Sequence, residues 1–146
     1  MPSAVVEQVV PASLILSTRT SAELRVTLRY RAADPLAVRL LFPAEYSLDE
    51  PTGPVGADGP EGVEWVFARQ LLAAGLELPS GLGDVRLRPS HGRHVLIELH
   101  APEGVALLRF GALELRRFLW RSHLAVPEGR EHRHLDPDRA LAELLR

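Results

Sequence analysis

The strongest constraint on the fold is an alternation of apolar and polar residues with a period of two. Leu24, Val26, Leu28 and Tyr30 alternate with Glu23, Arg25, Thr27 and Arg29. Successive side chains of a β-strand point to opposite faces of a sheet, whereas those of a helix repeat every 3.6 residues. The segment from Ala22 to Tyr30 is therefore predicted to be a strand with one buried and one hydrated face.

The segments on either side predict two further strands. Val5 to Leu16 is rich in Val, Ile and Leu, and Pro11 within it indicates an edge position or a bulge, because proline cannot donate to a ladder. Ala33-Asp34-Pro35 provides a turn, and Leu36 to Phe42 follows as the next strand. Together these segments predict a three-stranded meander.

Residues 43–62 interrupt this pattern. The segment is rich in Pro, Gly and acidic residues and contains few large apolar ones, so we expect a flexible surface loop. Val63 to Ala68 then returns to a strand pattern. Arg69 to Leu76 is predicted to be a short helix that ends at Gly75.

The second half repeats this plan. Strands are predicted around Val85 and Leu87, over Val95 to His100 and over Val105 to Phe110, and helices over Ala112 to Leu124 and from Asp136 to Leu145. Runs of hairpin-linked strands followed by helices favour an α+β fold. We expect two antiparallel sheets, with helices after each half, in a single domain that spans residues 1–146.

The composition excludes several kinds of chemistry. The sequence has no cysteine, which removes disulfides, thiolate nucleophiles and cysteine metal ligands, and is typical of a cytoplasmic protein. No serine lies in a Gly-x-Ser-x-Gly elbow. Ser80-Gly81-Leu82-Gly83 is followed by a predicted strand where a phosphate-binding loop needs a helix. We therefore expect no catalytic residue and no cofactor.

Four of the six histidines lie in pairs that could bind a metal ion. His132 and His134 would share one face of an extended segment, and His91 and His94 flank a predicted turn. Glu131 or Asp136 could complete a set of three ligands, but a structural zinc site needs four. Surface histidines near turns explain the pattern better, and no metal site is predicted.

Two surfaces remain as candidates for binding. Arg25 and Arg29 share the exposed face of one predicted strand, and Arg86 and Arg88 share that of another. If those strands were adjacent, the four arginines could follow the backbone of a single-stranded nucleic acid. However, no aromatic residue lies among them to stack on bases, and acidic neighbours could balance the charge.

The other candidate is the outer face of the predicted helix from Ala112 to Leu124. Its inward-facing residues are predicted to be Leu115, Phe118, Leu119 and Ser122. At about 100° per residue, Trp120 then lies about 140° from Leu115, on the outside. Its neighbours there are Arg116, Arg117 and Arg121. A tryptophan among arginines is typical of a protein-interaction hot spot, although Trp120 could equally pack beneath the 43–62 loop.

Several segments resemble one family over roughly Leu16 to Leu145. The first is Tyr30 to Val38, with its Asp34-Pro35 pair, and the second is Val63 to Arg69 followed by Leu71-Leu72 and Gly75. The others, in the same order along the chain, are Gly81 to Arg86, Pro102-Glu103-Gly104, Phe118-Leu119, Val126-Pro127 and Glu131-His132. This collinear set is similar to the SsgA-like proteins, which regulate sporulation-specific cell division.

The resemblance implies a whirly-like fold assembled as a homotrimer, and a role without catalysis. Within the family, the type that places septa is the nearest match. The resemblance further implies binding to FtsZ, to a sister SsgA-like protein, or to both, and recruitment from the cytoplasm to the division septum. The whirly likeness also keeps single-stranded nucleic-acid binding open as an alternative function.

Overall fold

The computed structural model describes residues 4–43 and 62–135, and within them the fold is α+β. A 3-10 helix covers Glu131–His134, after the second of two α-helices. The strands are β1 (Val5–Ile15), β2 (Ser21–Arg31), β3 (Ala37–Phe42), β4 (Val63–Ala68), β5 (Val85–Ser90), β6 (His94–Ala101) and β7 (Gly104–Gly111). The α-helices are α1 (Arg69–Gly75) and α2 (Ala112–Ala125).

The described strands form one antiparallel sheet in the order β4-β3-β2-β1-β7-β6-β5. The expectation of two sheets is therefore corrected. The halves join because β1 pairs with β2 along its whole length and also with β7 over Ala12–Leu14. Pro11 lies just before this joint, where β1 pairs with β2 alone, so its missing N–H costs no ladder bond to β7.

The predicted alternation of β2 is confirmed: Leu24, Val26, Leu28 and Tyr30 are all buried. The pairing explains why the halves share one core. Ala12 of β1 lies between Leu24 of β2 and Phe110 of β7. We call β1 to β4 and β5 to β7 the two arms of the sheet, and their buried side chains meet at the joint, where β1 pairs with β7.

Both helices begin where a strand ends. Residue 68 ends β4 and 69 begins α1, while 111 ends β7 and 112 begins α2. α1 packs on β5 so closely that a methyl group at Gly75 would overlap Leu87. α2 covers β1 and β7 and buries Leu115, Phe118 and Ser122, which confirms the predicted helical phase.

Two sequence predictions lie outside the described residues. They are the loop at 43–62, of which only the ends are described, and the helix from Asp136 to Leu145. Of the helices in the described ranges, α1 and α2 included, none is long and apolar enough to cross a membrane.

Candidate functional site

α2 presents an apolar stripe to the outside. Trp120 is 60% exposed, as its helical phase predicts, and Leu113 and Leu124 are 66% and 65% exposed. These residues lie seven and four positions apart, so they follow one line along the helix, and Arg117 lies within that line. We call these four residues the α2 stripe. Large apolar side chains aligned on a surface indicate an interaction site.

The arginines around Trp120 have different roles. Arg116 forms a 2.9 Å ion pair with Glu77 and donates a 3.3 Å hydrogen bond to the carbonyl oxygen of Leu76, so it ties α2 to the end of α1. Arg117 is exposed and forms no ion pair with residues 4–43 or 62–135. Arg117 therefore adds an exposed positive charge within the α2 stripe, and Arg116 lies beside it.

Arg121 points the other way. Its Nη1 donates to the carbonyl oxygen of Glu7 at 3.2 Å and to Oε1 of Gln8 at 3.1 Å. Gln8 in turn donates from Nε2 to the carbonyl oxygen of Glu114 at 3.1 Å. Arg121 therefore fastens α2 to β1 and does not join the surface around Trp120.

A groove runs beside the α2 stripe, between α1 and α2. It has a volume of about 220 Å³ and is lined by Leu76, Glu77, Leu119, Trp120 and His123, among others. Burial lowers the pKa of His123 below its ordinary value, and the nearby Arg69 charge lowers it further. The groove wall therefore favours a neutral imidazole.

A buried ionic cluster that the sequence patterns did not predict is centred on Arg69, which is 3% exposed. Its Nη2 donates to Glu131 Oε2 at 2.8 Å, and its Nη1 donates to the carbonyl oxygen and Oγ of Ser122 at 3.0 and 3.3 Å. The guanidinium also lies 4.7 Å from the centre of the Tyr30 ring. Its hydrogen bond lowers the pKa of Glu131, while burial raises that of Tyr30.

This cluster joins four elements, namely β2, the start of α1, the end of α2 and the 3-10 helix. Arg69 and Glu131 both occur in segments that carried the family resemblance, and that was the available signal. Their contact shows that these segments hold the fold together, since a buried guanidinium needs a counter-charge and hydrogen-bond acceptors.

The four arginines proposed for nucleic acid lie on two strands that are not neighbours in the sheet. β2 carries Arg25 and Arg29, β5 carries Arg86 and Arg88, and β1, β7 and β6 lie between them. The expectation of adjacent strands is therefore corrected, because the joint of β1 with β7 places the two strands far apart. Arg29 pairs with Glu7 at 2.5 Å and Arg88 pairs with Glu98, whose pKa this hydrogen bond lowers. Nucleic-acid binding stays a prediction.

The residues considered for metal or phosphate binding have structural roles or lie outside the described residues. Glu131 binds Arg69, and His94 Nδ1 lies 3.1 Å from the carbonyl oxygen of His91. Asp136 lies outside the described residues, and within them no three His, Asp or Glu side chains converge. Gly81 has a φ of 107° in the turn before β5, a conformation that glycine adopts without strain.

Comparison with known proteins identifies the family. The family model described as "Streptomyces sporulation and cell division protein, SsgA" matches residues 24–131, which is most of the chain. The chain belongs to the SsgA family. Members of this family are described as sporulation and cell division proteins, and this assigns the chain to the process that its sequence motifs predicted.

Curated SsgB proteins of the SsgA family align with most of this chain and with most of their own length. The sporulation-specific cell division protein SsgB of Streptomyces coelicolor is 47% identical over 135 residues, which is 90% of this chain and 89% of that protein. SsgB of Salinispora tropica is 42% identical over 135 residues, covering 90% of this chain and 87% of that protein. The likeness to SsgB is therefore shown for both of these relatives.

Solved structures of SsgA-family proteins match the fold. One, reported with mutations in SsgB that correlate to longitudinal cell division in Streptomyces coelicolor, has a TM-score of 0.76 at 43% identity and covers 92% of this chain and 98% of its own. The SsgA-like sporulation-specific cell division protein of Thermobifida fusca has a TM-score of 0.76 at 35% identity. The match covers 98% of this chain and 97% of that protein's chain.

Proposed function

We propose that this chain is a non-enzymatic, oligomeric scaffold of sporulation-specific septation that binds FtsZ, a sister SsgA-like protein, or both. In this proposal the protein is recruited from the cytoplasm to the future septum, where it positions or promotes division. Membership in the SsgA family supports the process, and the absence of cysteine and of a serine elbow from the sequence supports a role in binding.

The observation that carries the proposal is the α2 stripe. Trp120, Leu113 and Leu124 expose apolar area along one line of a helix, with Arg117 within that line and Arg116 beside it. Tryptophan and arginine are the residues most enriched among those that dominate binding energy at protein interfaces. The other face of the same helix packs on the sheet, and the stripe is exposed among residues 4–43 and 62–135, which supports its use for binding.

Co-sedimentation with FtsZ polymers tests this proposal directly. We expect the purified protein to pellet with FtsZ, either alone or after a sister SsgA-like protein is added. Trp120→Ala should weaken the association about tenfold or more, because a hot-spot tryptophan contributes about 2 kcal/mol or more. Val105→Ala is the matched control, since Val105 is equally exposed but lies on β7, away from α2.

Loss of pelleting in the Val105 variant as well would show that the Trp120 effect is unspecific. If the wild-type protein fails to pellet under both conditions, the FtsZ scaffold is wrong. Sedimentation equilibrium measures the assembly separately, and we expect the mass of a trimer. A monomer at micromolar concentration would remove the oligomeric part of the proposal.

A further inference from the structure

The sheet ends in two edge strands, β4 and β5, and the edge of β5 is closed by its own chain. Ser80 donates to the carbonyl oxygen of Leu87 at 2.8 Å and accepts from the N–H of Leu87 at 3.0 Å. Pro89 lies two positions further along β5, so it faces the same side, where it has no N–H to donate. A further strand is therefore blocked from pairing with β5.

The outer edge of β4 has no such protection within the described part of the chain. Where the register of β3 and β4 continues into α1, Arg69 donates to the carbonyl oxygen of Leu36 at 2.8 Å. Bonded and non-bonded pairs alternate along an antiparallel ladder, so the odd-numbered residues of β4 bond to β3. The N–H and C=O groups of Glu64 and Val66 then point away from β3, and no described residue pairs with them.

The side chains along this edge are mainly apolar. Val63 and Val66 are exposed, and Trp65 packs against the core while remaining partly exposed. Unpaired backbone groups beside exposed valines are typical of a strand with which another chain pairs. Proteins that bind a partner by strand addition use an edge of this kind, and main-chain hydrogen bonds then provide the affinity.

Glu64 indicates which strand fits this edge. Arg39 Nη2 lies 2.8 Å from Asp34 Oδ2, and Arg39 Nη1 lies 3.3 Å from Glu64 Oε2. One guanidinium therefore serves two carboxylates, and the Glu64 side chain stays exposed. A Lys or Arg opposite Glu64 on an added strand forms a favourable cross-strand pair.

A second copy of the chain fits the edge less well. Two β4 strands that paired about a two-fold axis at Trp65 would bond Glu64 of each copy to Val66 of the other. The two Glu64 carboxylates would then lie diagonally across from each other on one face, and β4 supplies no cation between them. A strand that carries a basic residue satisfies the backbone groups without this repulsion.

We propose that the outer edge of β4 binds an extended segment of a partner protein by strand addition. The segment places apolar side chains beside Trp65 and Val66 and a Lys or Arg opposite Glu64. Main-chain bonds to Glu64 and Val66 hold the segment, and the ion pair sets its register. This edge is a contact surface separate from the α2 stripe, so the inference goes beyond the proposed function.

Peptide binding to the full chain tests this site. Two synthetic six-residue peptides, matching β4 in length, alternate valine with threonine and differ only in a central lysine or glutamate. We expect the lysine peptide to bind about fivefold more tightly in titration calorimetry, because its charge is opposite to that of Glu64. With Trp120→Phe, Trp65 is the sole tryptophan, and its emission should change when the peptide binds beside it.

Val66→Pro tests the backbone contact. It removes an N–H that points away from β3, so the pairing of β4 with β3 is retained. Binding of the lysine peptide should weaken about tenfold, since a peptide carbonyl loses its donor. Val66→Thr keeps the N–H and is the matched control, with binding within about twofold of the wild type. Circular dichroism checks that both variants fold.

Glu64→Lys tests the register without altering the backbone. It should reverse the preference, so that the glutamate peptide binds more tightly than the lysine peptide. Glu103→Lys changes the net charge equally, but Glu103 is exposed in the turn between β6 and β7, in the other arm of the sheet. The preference for lysine should persist in this control. These two variants decide the question even if Val66→Pro does not fold.

The outcomes separate this inference from the proposed function. Equal binding of both peptides, no change in Trp65 emission, or a preference that Glu64→Lys leaves unreversed would overturn the β4 site. If neither peptide binds, the inference fails, and a lower oligomeric mass of Val66→Pro would identify a second copy as the occupant. Pelleting with FtsZ without peptide binding would leave the scaffold standing and remove the β4 site. Peptide binding without FtsZ association would support the β4 site and remove the scaffold.

Discussion

At the scale of single residues, Arg69 shows how the fold accommodates a buried charge. Transfer of a guanidinium out of water is costly, and the cost is offset only when a carboxylate and further acceptors surround it. Here Glu131, the carbonyl oxygen and hydroxyl of Ser122, and the face of the Tyr30 ring fill those positions. Because its partners come from distant parts of the chain, Arg69 stabilises the contact between α1, α2 and the 3-10 helix.

Arg69→Met should therefore lower the free energy of unfolding by about 3 kcal/mol, because it leaves Glu131 without its counter-ion and removes the hydrogen bonds that Arg69 donates to Ser122. Urea unfolding measures this difference. Arg25→Met is the matched control, since Arg25 is exposed, and should change stability by less than about 0.5 kcal/mol. An equal effect of the two substitutions would mean that the Arg69 cluster adds nothing to stability.

The same cluster predicts a dependence on pH. The hydrogen bond from Arg69 lowers the folded-state pKa of Glu131, so the carboxylate binds protons less readily in the folded than in the unfolded chain. Its stabilisation is present above the unfolded pKa of about 4.3 and is lost as pH falls through the lower folded value. Glu131→Gln should therefore reduce the slope of stability against pH below about 4.5. An unchanged slope in acid denaturation curves would contradict this.

At the scale of elements, α2 has one face that is buried in the core and one that is exposed. Leu115→Ala should destabilise the protein by about 3 kcal/mol, because Leu115 is fully buried and the substitution leaves a cavity. Leu113→Ala removes the same atoms from the exposed face and should change stability by less than about 0.5 kcal/mol. Chemical denaturation of both variants measures the contrast. Similar losses would mean that an assembly or an undescribed segment covers the outer face.

The contact of α1 with β5 predicts an effect opposite to helix propensity. Alanine normally stabilises a helix relative to glycine by about 1 kcal/mol. At Gly75, however, the added methyl group overlaps Leu87, and Gly75→Ala should destabilise the protein by about 1–3 kcal/mol. At Gly83 an added methyl group meets nothing within 4 Å, so Gly83→Ala should be close to neutral. Thermal unfolding of the pair tests this packing.

Local patterns were sufficient to predict most elements. The alternation of Leu24 to Tyr30 gave the buried face of β2, and the spacing of Leu115 and Phe118 gave the phase of α2 and the exposure of Trp120. The orientation of Arg121 could not be predicted, because it depends on where β1 lies beneath the helix. The pairing of Arg69 with Glu131 could not be predicted from spacing either, since 62 positions separate them.

At the scale of the whole molecule, one short joint holds two arms of the sheet together. Only Ala12–Leu14 of β1 pair with β7, yet the buried side chains of the two arms form one core. Two separate sheets were expected because the sequence shows hairpins clearly but contains no local signal for a pairing between its first and seventh strands. The same pairing separated the arginines of β2 from those of β5.

The shared core predicts cooperative unfolding. Trp65 lies in β4 and Trp120 in α2, so single-tryptophan variants report on different parts of the molecule. We expect the midpoints of urea unfolding from both tryptophans and from circular dichroism to coincide, as they do in a two-state transition. An earlier midpoint for one tryptophan would show that the short joint lets one arm unfold before the other.

The position of β1 also bears on synthesis at the ribosome. β1 to β4 can form hairpins soon after they emerge, but the edge of β1 that receives β7 stays open until residue 110, about a hundred positions later, has left the exit tunnel. Contacts so distant along the chain form slowly. During translation the nascent protein therefore exposes the edge of Ala12–Leu14 to neighbouring chains, and a chaperone that shields extended segments is expected to raise its yield.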